Sequence, residues 1–339
     1  MEGSANEWDV GMGGLIASAL WYEAPDVVVL RNTPLPDLSP GLARVRSLFS
    51  GISRGTERLV SGGLVPRDEW TRMRAPLQEG DFPFPVKYGY CAVGIVEAGP
   101  ADLVGHTVFC LHPHQDRFLA PVCMLSPVPP GVPARRATLA ANMETALNAL
   151  WDSGAGAADR VVVIGGGIIG LLAGFLAAKL PGAQVTLCDI DPSRAALALQ
   201  LGMAFAPPDA LPQDADVVFH ASASQSGLGA AIGCAGVEAC VVEMSWYGDK
   251  TVSIPLGGAF HSRRLSIVSS QVGMVAPSRR ARWTHARRLG AALALLRDAR
   301  LDALVSETID FADAPRTLPG VLAGRAVGLA PVIRYPGPD

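Results

Sequence analysis

The stretch 160–189, RVVVIGGGIIGLLAGFLAAKLPGAQVTLCD, constrains the fold more than any other part of the chain. It opens with an apolar β-branched run at 161–164 and turns through Gly165, Gly167 and Gly170 in GxGxxG spacing. An Ala/Leu-rich segment then runs to Leu180, where Pro181-Gly182 ends it, and a second apolar run, 185–188, stops at an acid, Asp189. Strand, glycine turn, helix, strand, acid is the order of a dinucleotide-binding βαβ unit. Gly165 permits the tight turn, Gly167 lets backbone approach a pyrophosphate, and Gly170 lets the helix pack on the strand. The helix N-terminus offers free N–H groups and partial positive charge to phosphates. Asp189 lies in the window of about 20 residues where a carboxylate accepts from ribose hydroxyls. Ile168, Ile169, Ile190 and Arg194, which flank these positions, are placed with the cofactor-binding residues. A membrane helix is the competing reading, because no charge falls between Arg160 and Lys179 and Gly166, Gly170 and Gly174 form small-xxx-small steps. The glycines cluster at the turn, however, a second strand with its acid follows on schedule, and no comparable run occurs elsewhere.

At 339 residues the chain exceeds one ordinary core, so two domains are expected. A net charge of −3 gives no electrostatic footing for nucleic acid or an anionic membrane. Six cysteines (91, 110, 123, 188, 234 and 240) form no CxxC, and several lie inside apolar runs, as in a reduced, cytoplasmic protein. Residues 1–14, MEGSANEWDVGMGG, carry acids and no basic run and read as a disordered extension, not a signal peptide.

Along the chain, 15–50 alternates apolar and polar residues, with a strand expected at 43–49. GISRGTER, 51–58, is a turn opening a short helix, and 64–85 reads as a long loop. VKYGYCAVGIVEAG, 86–99, reads as a strand pair, 103–110 as turn and strand, and 134–151 as a helix that Gly154 and Gly156 end. Beyond Asp189, apolar strands at 216–222, 236–244 and 265–272 alternate with helical segments, which is the pattern of a doubly wound parallel sheet. An Arg-rich amphipathic helix is expected at 278–297, followed by strand, helix and strand. That last part is too short to stand alone and is expected to return to the β-rich first domain.

With this order and these motifs the chain resembles the medium-chain dehydrogenase/reductase superfamily, the zinc alcohol dehydrogenases and their zinc-free relatives. GISRGTE is similar to the family's GICxSD, and YGYCAVGIVEAG to its GHExxGxVxxxG. SRGTE, with tyrosine in place of the family histidine, resembles bacteriochlorophyllide dehydrogenase-like members. The resemblance covers nearly all of 15–335. It implies an α/β fold, with a GroES-like β-rich catalytic domain at 15–145 and 275–339 and a Rossmann NAD-binding domain at 146–274. In zinc members a Cys, a His and a Cys or Glu hold the metal. The corresponding positions are Ser53, Tyr90 and Ala141, none of them an ordinary zinc ligand, and the four-cysteine structural lobe is missing. The resemblance therefore implies the fold and the cofactor NAD(H), with no metal.

Without zinc, a carbonyl or alcohol oxygen needs another donor. Candidate catalytic residues are Tyr90, with Lys87 to depress its pKa, together with Arg54, Glu57, His112 and His114. A bend at Gly89 is required to bring Lys87 to Tyr90. The tyrosine reads equally as a packed residue, the histidines as loop residues and Glu57 as supporting structure. A replacement metal site from His112, His114 and Glu57 or Glu144 is the alternative. Thr145 and Glu144 stand where the family places groups near the nicotinamide. Ala221, Ser245 with Trp246 and Tyr247, and Ser270 end Rossmann strands, where they would touch cofactor or wall a flat substrate. Arg279, Arg280, Arg282, Arg287 and Arg288 read as a solvated helix face rather than an anion patch.

The leading expectation is an NAD(H)-dependent, zinc-independent oxidoreductase interconverting an alcohol and a carbonyl in the interdomain cleft. A quinone or enone C=C reductase and a non-catalytic NAD(H)-sensing protein are the alternatives. The expected partners are a small-molecule substrate and a second copy of the chain in a homodimer, with no nucleic acid and no membrane.

Overall fold

A computed structural model describes residues 15–325 and 328–337; the expected extension at 1–14 lies outside the described residues. The glycine-turn stretch nucleates a six-stranded, wholly parallel sheet. Its order is Ala204–Ala206, Gln184–Cys188, Arg160–Ile164, Ala215–His220, Ala235–Glu243, Ser266–Ser269. The chain winds outward first to one side of Arg160–Ile164 and then to the other. The switch point, where open α/β sheets bind ligands, therefore lies between that strand and Ala215–His220. Helix Ile168–Ala177 follows the turn. It carries no charge because protein surrounds it: Leu171, Leu172 and Phe175 are fully buried. No helix among the described residues is long and apolar enough to cross a membrane. Truncating Leu171 to alanine should cost about 2–5 kcal/mol.

The first domain is built from two sheets. One runs Val27–Pro34, Ile16–Ala24, Val86–Lys87, Glu79–Gly80. The other runs Val305–Asp310, Ala330–Arg334, Leu42–Gly51, Ala92–Ala98, Thr107–Cys110, Ser126–Pro127, with Arg117–Pro121 also on Leu42–Gly51. The chain thus returns at its end to a sheet begun near its start, with Val332 opposite Gly51. Tyr22, Val86, Tyr88, Leu318 and Ile333 pack in one cluster across this region.

Helix Ala140–Ser153 joins the halves, and its C-cap Gly154 has φ 69°, the left-handed conformation that favours glycine. Helix His285–Leu295 packs on it. The Arg-rich segment therefore departs from expectation: 278–284 is not helical, and the helix starts at His285, where the Thr284 hydroxyl accepts from the Arg287 N–H. Arg288 is no part of a solvated face. It is 1% exposed and donates to Glu144 Oε1 (2.9 Å), Asn148 Oδ1 (2.5 Å) and the carbonyls of Met274 and Val272. Glu144, expected near the nicotinamide, is thereby held and not free to meet a substrate. It balances a buried guanidinium, a pair costly to break from either side.

Candidate active site

The turn after Arg160–Ile164 has the shape a pyrophosphate needs. Gly165 has φ 106°, and a Cβ there would lie 2.8 Å from Ala221 carbonyl carbon and Ser222 nitrogen. A Cβ on Gly170 would collide with the Gly165 carbonyl, so helix and turn approach as closely as backbone permits. A Cβ on Gly167 would meet nothing, which leaves open space over the helix N-terminus. Asp189 crosses to this turn: Oδ2 accepts from the Gly166 N–H at 2.5 Å and Oδ1 from the Asp191 N–H at 2.8 Å. Arg194 lies beside Gly166 and pairs with Asp191 at 3.3 Å, while Ile190 is 88% exposed just beyond the carboxylate. Ile168 and Ile169 are half-buried at the helix start, and Ala221 bonds its N–H to the Ile164 carbonyl. These residues meet at one edge of the sheet. Thr145 does not offer its hydroxyl there, since Oγ1 donates back to the Ala141 carbonyl. Ser270 donates to Asp152, and Ser245 Oγ accepts from the Ala223 N–H.

Ser53 and Tyr90, two of the positions that the resemblance aligns with zinc ligands, meet with Thr56 in a cluster of hydroxyls. The Tyr90 phenol donates to Ser53 Oγ at 2.5 Å, and Thr56 Oγ1 lies 3.3 Å from the same phenol oxygen. All three residues are half-buried. Ser53 and Thr56 come from the start of helix Arg54–Ser61, whereas Tyr90 follows the bend at Gly89, which has φ 124°. Burial, then the neighbouring Cys91 and Glu57, push the Tyr90 phenol well up, against the opposing pull of Ser53 and Thr56. It is a protonated donor, not a cation-stabilised phenolate.

Lys87 plays no part in this. It is buried on the other side of the bend, paired with Glu79 and bonded to Gln115 Oε1 at 2.7 Å, and burial lowers its pKa. That corrects its expected role as partner of Tyr90. Arg54 reaches away, to the Gly328 carbonyl at 2.6 Å. His112 is buried and stacks on Phe118 with centroids 3.8 Å apart, and its Nδ1 donates to the Pro113 carbonyl. Burial first, then Lys87, pushes it down to about 3, so the expected proton shuttle is a neutral packing ring.

His114 and Glu57 do meet, behind the hydroxyls rather than among them. Glu57 Oε2 accepts from His114 Nε2 (3.0 Å) and Tyr22 Oη (2.9 Å), and Oε1 from the Ser53 N–H (2.7 Å). Burial alone would raise this carboxyl, but His114, Ser53 and Tyr22 together hold it below the ordinary value. Ser50 Oγ bonds His114 Nδ1 at 2.7 Å and Tyr335 Oη at 2.8 Å. Glu57 and His114 are fully buried, so their expected action on a substrate becomes support for Ser53. Gly89 is obligatory here, because a Cβ would sit 2.9 Å from the His114 ring. Among the described residues no three His, Cys, Asp or Glu side chains are placed to hold a metal, and the rings of His112 and His114 take separate partners.

Sequence reasoning missed a second polar group, at the ends of two Rossmann strands. His220 Nδ1 bonds Glu243 Oε2 at 2.8 Å, and its Nε2 bonds Ser222 Oγ at 2.7 Å. Glu243 also accepts from the Ser245 N–H (2.7 Å) and Tyr247 Oη (3.2 Å), so the pair anchors the loop carrying Trp246. Gly248 in that loop lies against Leu59 and Leu64, and Trp246 packs on the cluster that holds Tyr88, with Tyr90 also at its edge. The available signal was a polar residue closing each of the apolar runs VVFH and VVE.

No protein-family model matches the chain. Solved structures do. A zinc-binding dehydrogenase from Sinorhizobium meliloti 1021, bound to NADP, aligns at TM-score 0.76 and 19% identity over 94% of this chain and 99% of that one. An alcohol dehydrogenase from E. coli CFT073 in complex with NADH aligns at 0.76 and 16%, over 95% and 100%. L-idonate 5-dehydrogenase from Escherichia coli aligns at 0.78 and 13%, over 95% and 99%. The described sheets and these alignments together show that the chain has the fold of the medium-chain, zinc alcohol dehydrogenase-like superfamily, a GroES-like β-rich domain joined to a Rossmann domain.

Proposed function

We propose that the protein is an NAD(H)-dependent, zinc-independent oxidoreductase that interconverts an alcohol and a carbonyl. The observation that carries this reading is the 2.5 Å bond from Tyr90 Oη to Ser53 Oγ, two positions that the resemblance aligns with zinc ligands. Ser53, Tyr90 and Ala141 do not fit zinc: two are neutral hydroxyls bonded to each other and the third has no donor atom. The glycine turn fits a dinucleotide, for it leaves open space at Gly167 and sets the Asp189 carboxylate beside it. Asp189 favours NAD(H), since its charge repels a 2′-phosphate. When bound, the nicotinamide supplies or accepts the hydride.

The protein's part is to handle the oxygen. Because Tyr90 donates to Ser53, the Ser53 proton is left to donate to a substrate oxygen, and the Tyr90 bond strengthens that donation. As the carbonyl carbon is reduced, its oxygen takes the Ser53 proton, Ser53 takes that of Tyr90, and water reprotonates Tyr90. In oxidation the same protons move outward. Glu57, holding the Ser53 N–H, fixes the serine in position. Trp246 offers a flat apolar wall on the opposite domain, suited to a mid-sized or aromatic substrate. We further read the protein as a cytoplasmic homodimer: its cysteines are free, strand Ser266–Ser269 ends its sheet among the described residues, and Met274 is exposed. Single-turnover oxidation of bound NADH by a panel of aldehydes and ketones tests the activity. Binding of NADH without turnover of any carbonyl would favour the sensing alternative, and sedimentation tests the dimer.

A further inference from the structure

Ser222, His220 and Glu243 stand in the relation of nucleophile, base and orienting acid, and no step of the oxidoreductase reading uses them. The order is set by charge. Burial would raise the Glu243 carboxyl, yet His220 and the Ser245 N–H hold it below its ordinary value, so it is ionised and can only accept. Nδ1 of His220 therefore carries the proton it donates to Glu243. Nε2 lies 2.7 Å from Ser222 Oγ, within reach of the serine proton. Ser224 Oγ, 2.9 Å from Ser222 Oγ, accepts from the Gly227 N–H and can donate in turn to Ser222. The acid is locked by Ser245 and Tyr247, as a working relay requires.

Position adds to geometry. His220 is fully buried, but Ser222 is half-buried and sits at the carboxyl edge of the sheet, against the Gly165 turn. The next residue, Ala223, has φ 50°, a conformation that side-chain-bearing residues adopt at a cost and mostly at functional sites. Gly227 packs against Ser222 Oγ so closely that a Cβ there would lie 2.3 Å from the hydroxyl oxygen. Helix Gln225–Cys234 begins three residues beyond Ser222, capped by Ser224 Oγ, which accepts from the Gly227 N–H.

The geometry points to a second activity: Ser222, with His220 as general base and Glu243 as its orienting acid, is an acyl-accepting nucleophile that hydrolyses small activated esters in the cofactor-free protein. Ser222 Oγ bonds to the ester carbonyl carbon while its proton passes to His220 Nε2. The C–O bond to the leaving alcohol breaks and His220 returns the proton to that oxygen. Water, deprotonated by His220, then attacks the acyl-serine, releasing the carboxylic acid and restoring Ser222. The site is independent of the Ser53–Tyr90 hydroxyls, so its failure would leave the oxidoreductase reading untouched.

The test uses the full chain freed of nucleotide, with p-nitrophenyl acetate as substrate and diisopropyl fluorophosphate as label. Expected are turnover above buffer, phosphorylation mapped by mass spectrometry to Ser222, and a loss of about 10²-fold or more in Ser222→Ala. Ser222→Ala removes only a half-buried hydroxyl, so an unchanged circular dichroism spectrum and melting curve are expected and show that the variant folds. Absence of both hydrolysis and labelling in the wild type, or hydrolysis that survives in folded Ser222→Ala, overturns the proposal and leaves the three residues as a clamp for the Trp246 loop.

Discussion

Each half of the molecule holds a His–Glu pair, and the two are built for different ends. His114–Glu57 presents Nε2 to the acid and Nδ1 to Ser50, and every member is fully buried. His220–Glu243 presents Nδ1 to the acid and Nε2 to Ser222, which is half-buried, and Glu243 itself is 16% exposed. A closed chain of hydrogen bonds can rigidify but cannot reach a substrate; an open one can do both. The first pair therefore acts through the Ser53 backbone it holds, and the second has a side chain to offer. The pair itself does not specify chemistry; solvent access at its third member does.

Removing the acids would separate the two pairs most. Glu57→Ala strands His114, Tyr22 and the Ser53 N–H in a dry interior and should cost about 3–5 kcal/mol in urea unfolding. Its pH signature has a definite sign. The folded carboxyl lies below the unfolded value of about 4.3, so the stabilisation is full above that pH and fades as pH falls through the lower folded value. Glu57→Gln should accordingly flatten the acid limb of the stability curve, and an unaltered limb would count against an ionised Glu57.

Next in size is Tyr90→Phe, which deprives Ser53 of its donor. Hydride transfer in single turnover should fall by about 10²–10³-fold, the usual effect of losing one preorganised donor, with NADH affinity nearly unchanged. A rate within about threefold of wild type would remove Tyr90 from the mechanism. Glu243→Ala, at the more open pair, should cost less than Glu57→Ala, about 1–3 kcal/mol, and equal losses in the same denaturation experiment would erase the distinction between the pairs. Asp189 is expected to give NADH about 10–100-fold tighter binding than NADPH by fluorescence titration, from hydrogen bonds to a charged group worth about 1.5–3 kcal/mol; tighter NADPH binding would contradict the cofactor assignment. The smallest effect belongs to His112. With its ring pushed down to about 3, His112→Asn should leave the pH–rate profile between pH 6 and 8 where it was, and a shifted limb there would restore its role in proton transfer.

Much of the fold was legible because it repeats local rules. The GxGxxG turn, the uncharged helix behind it, the alternation of apolar strands with helices and the return of the last strands all match the described elements. The Arg-rich helix was drawn too long at its start, which Thr284 caps, and Arg288 was counted among the exposed arginines, whereas Glu144 and Asn148, about 140 residues away in sequence, draw it inside. The site was legible only as a neighbourhood. Ser53 and Tyr90 were marked as vacated ligand positions, yet Lys87 was drawn to Tyr90 by proximity in sequence, and the bend between them separates the two.

What the sequence alone determined was therefore whatever depends on neighbours within a few turns: the glycine turn, the acid at 189, the absence of ordinary zinc ligands at 53, 90 and 141, and the α/β order. Tertiary structure decided which polar side chains meet. Ser53 finds Tyr90 across 37 residues, Glu57 finds His114 across 57, and His220 finds Glu243 across 23. A buried hydrogen bond forms only where two backbones bring a donor and an acceptor within about 3 Å, and a carboxylate's or imidazole's charge state follows from those partners and its burial. Such partners are set by sheet register and helix packing, so no spacing along the chain could announce them.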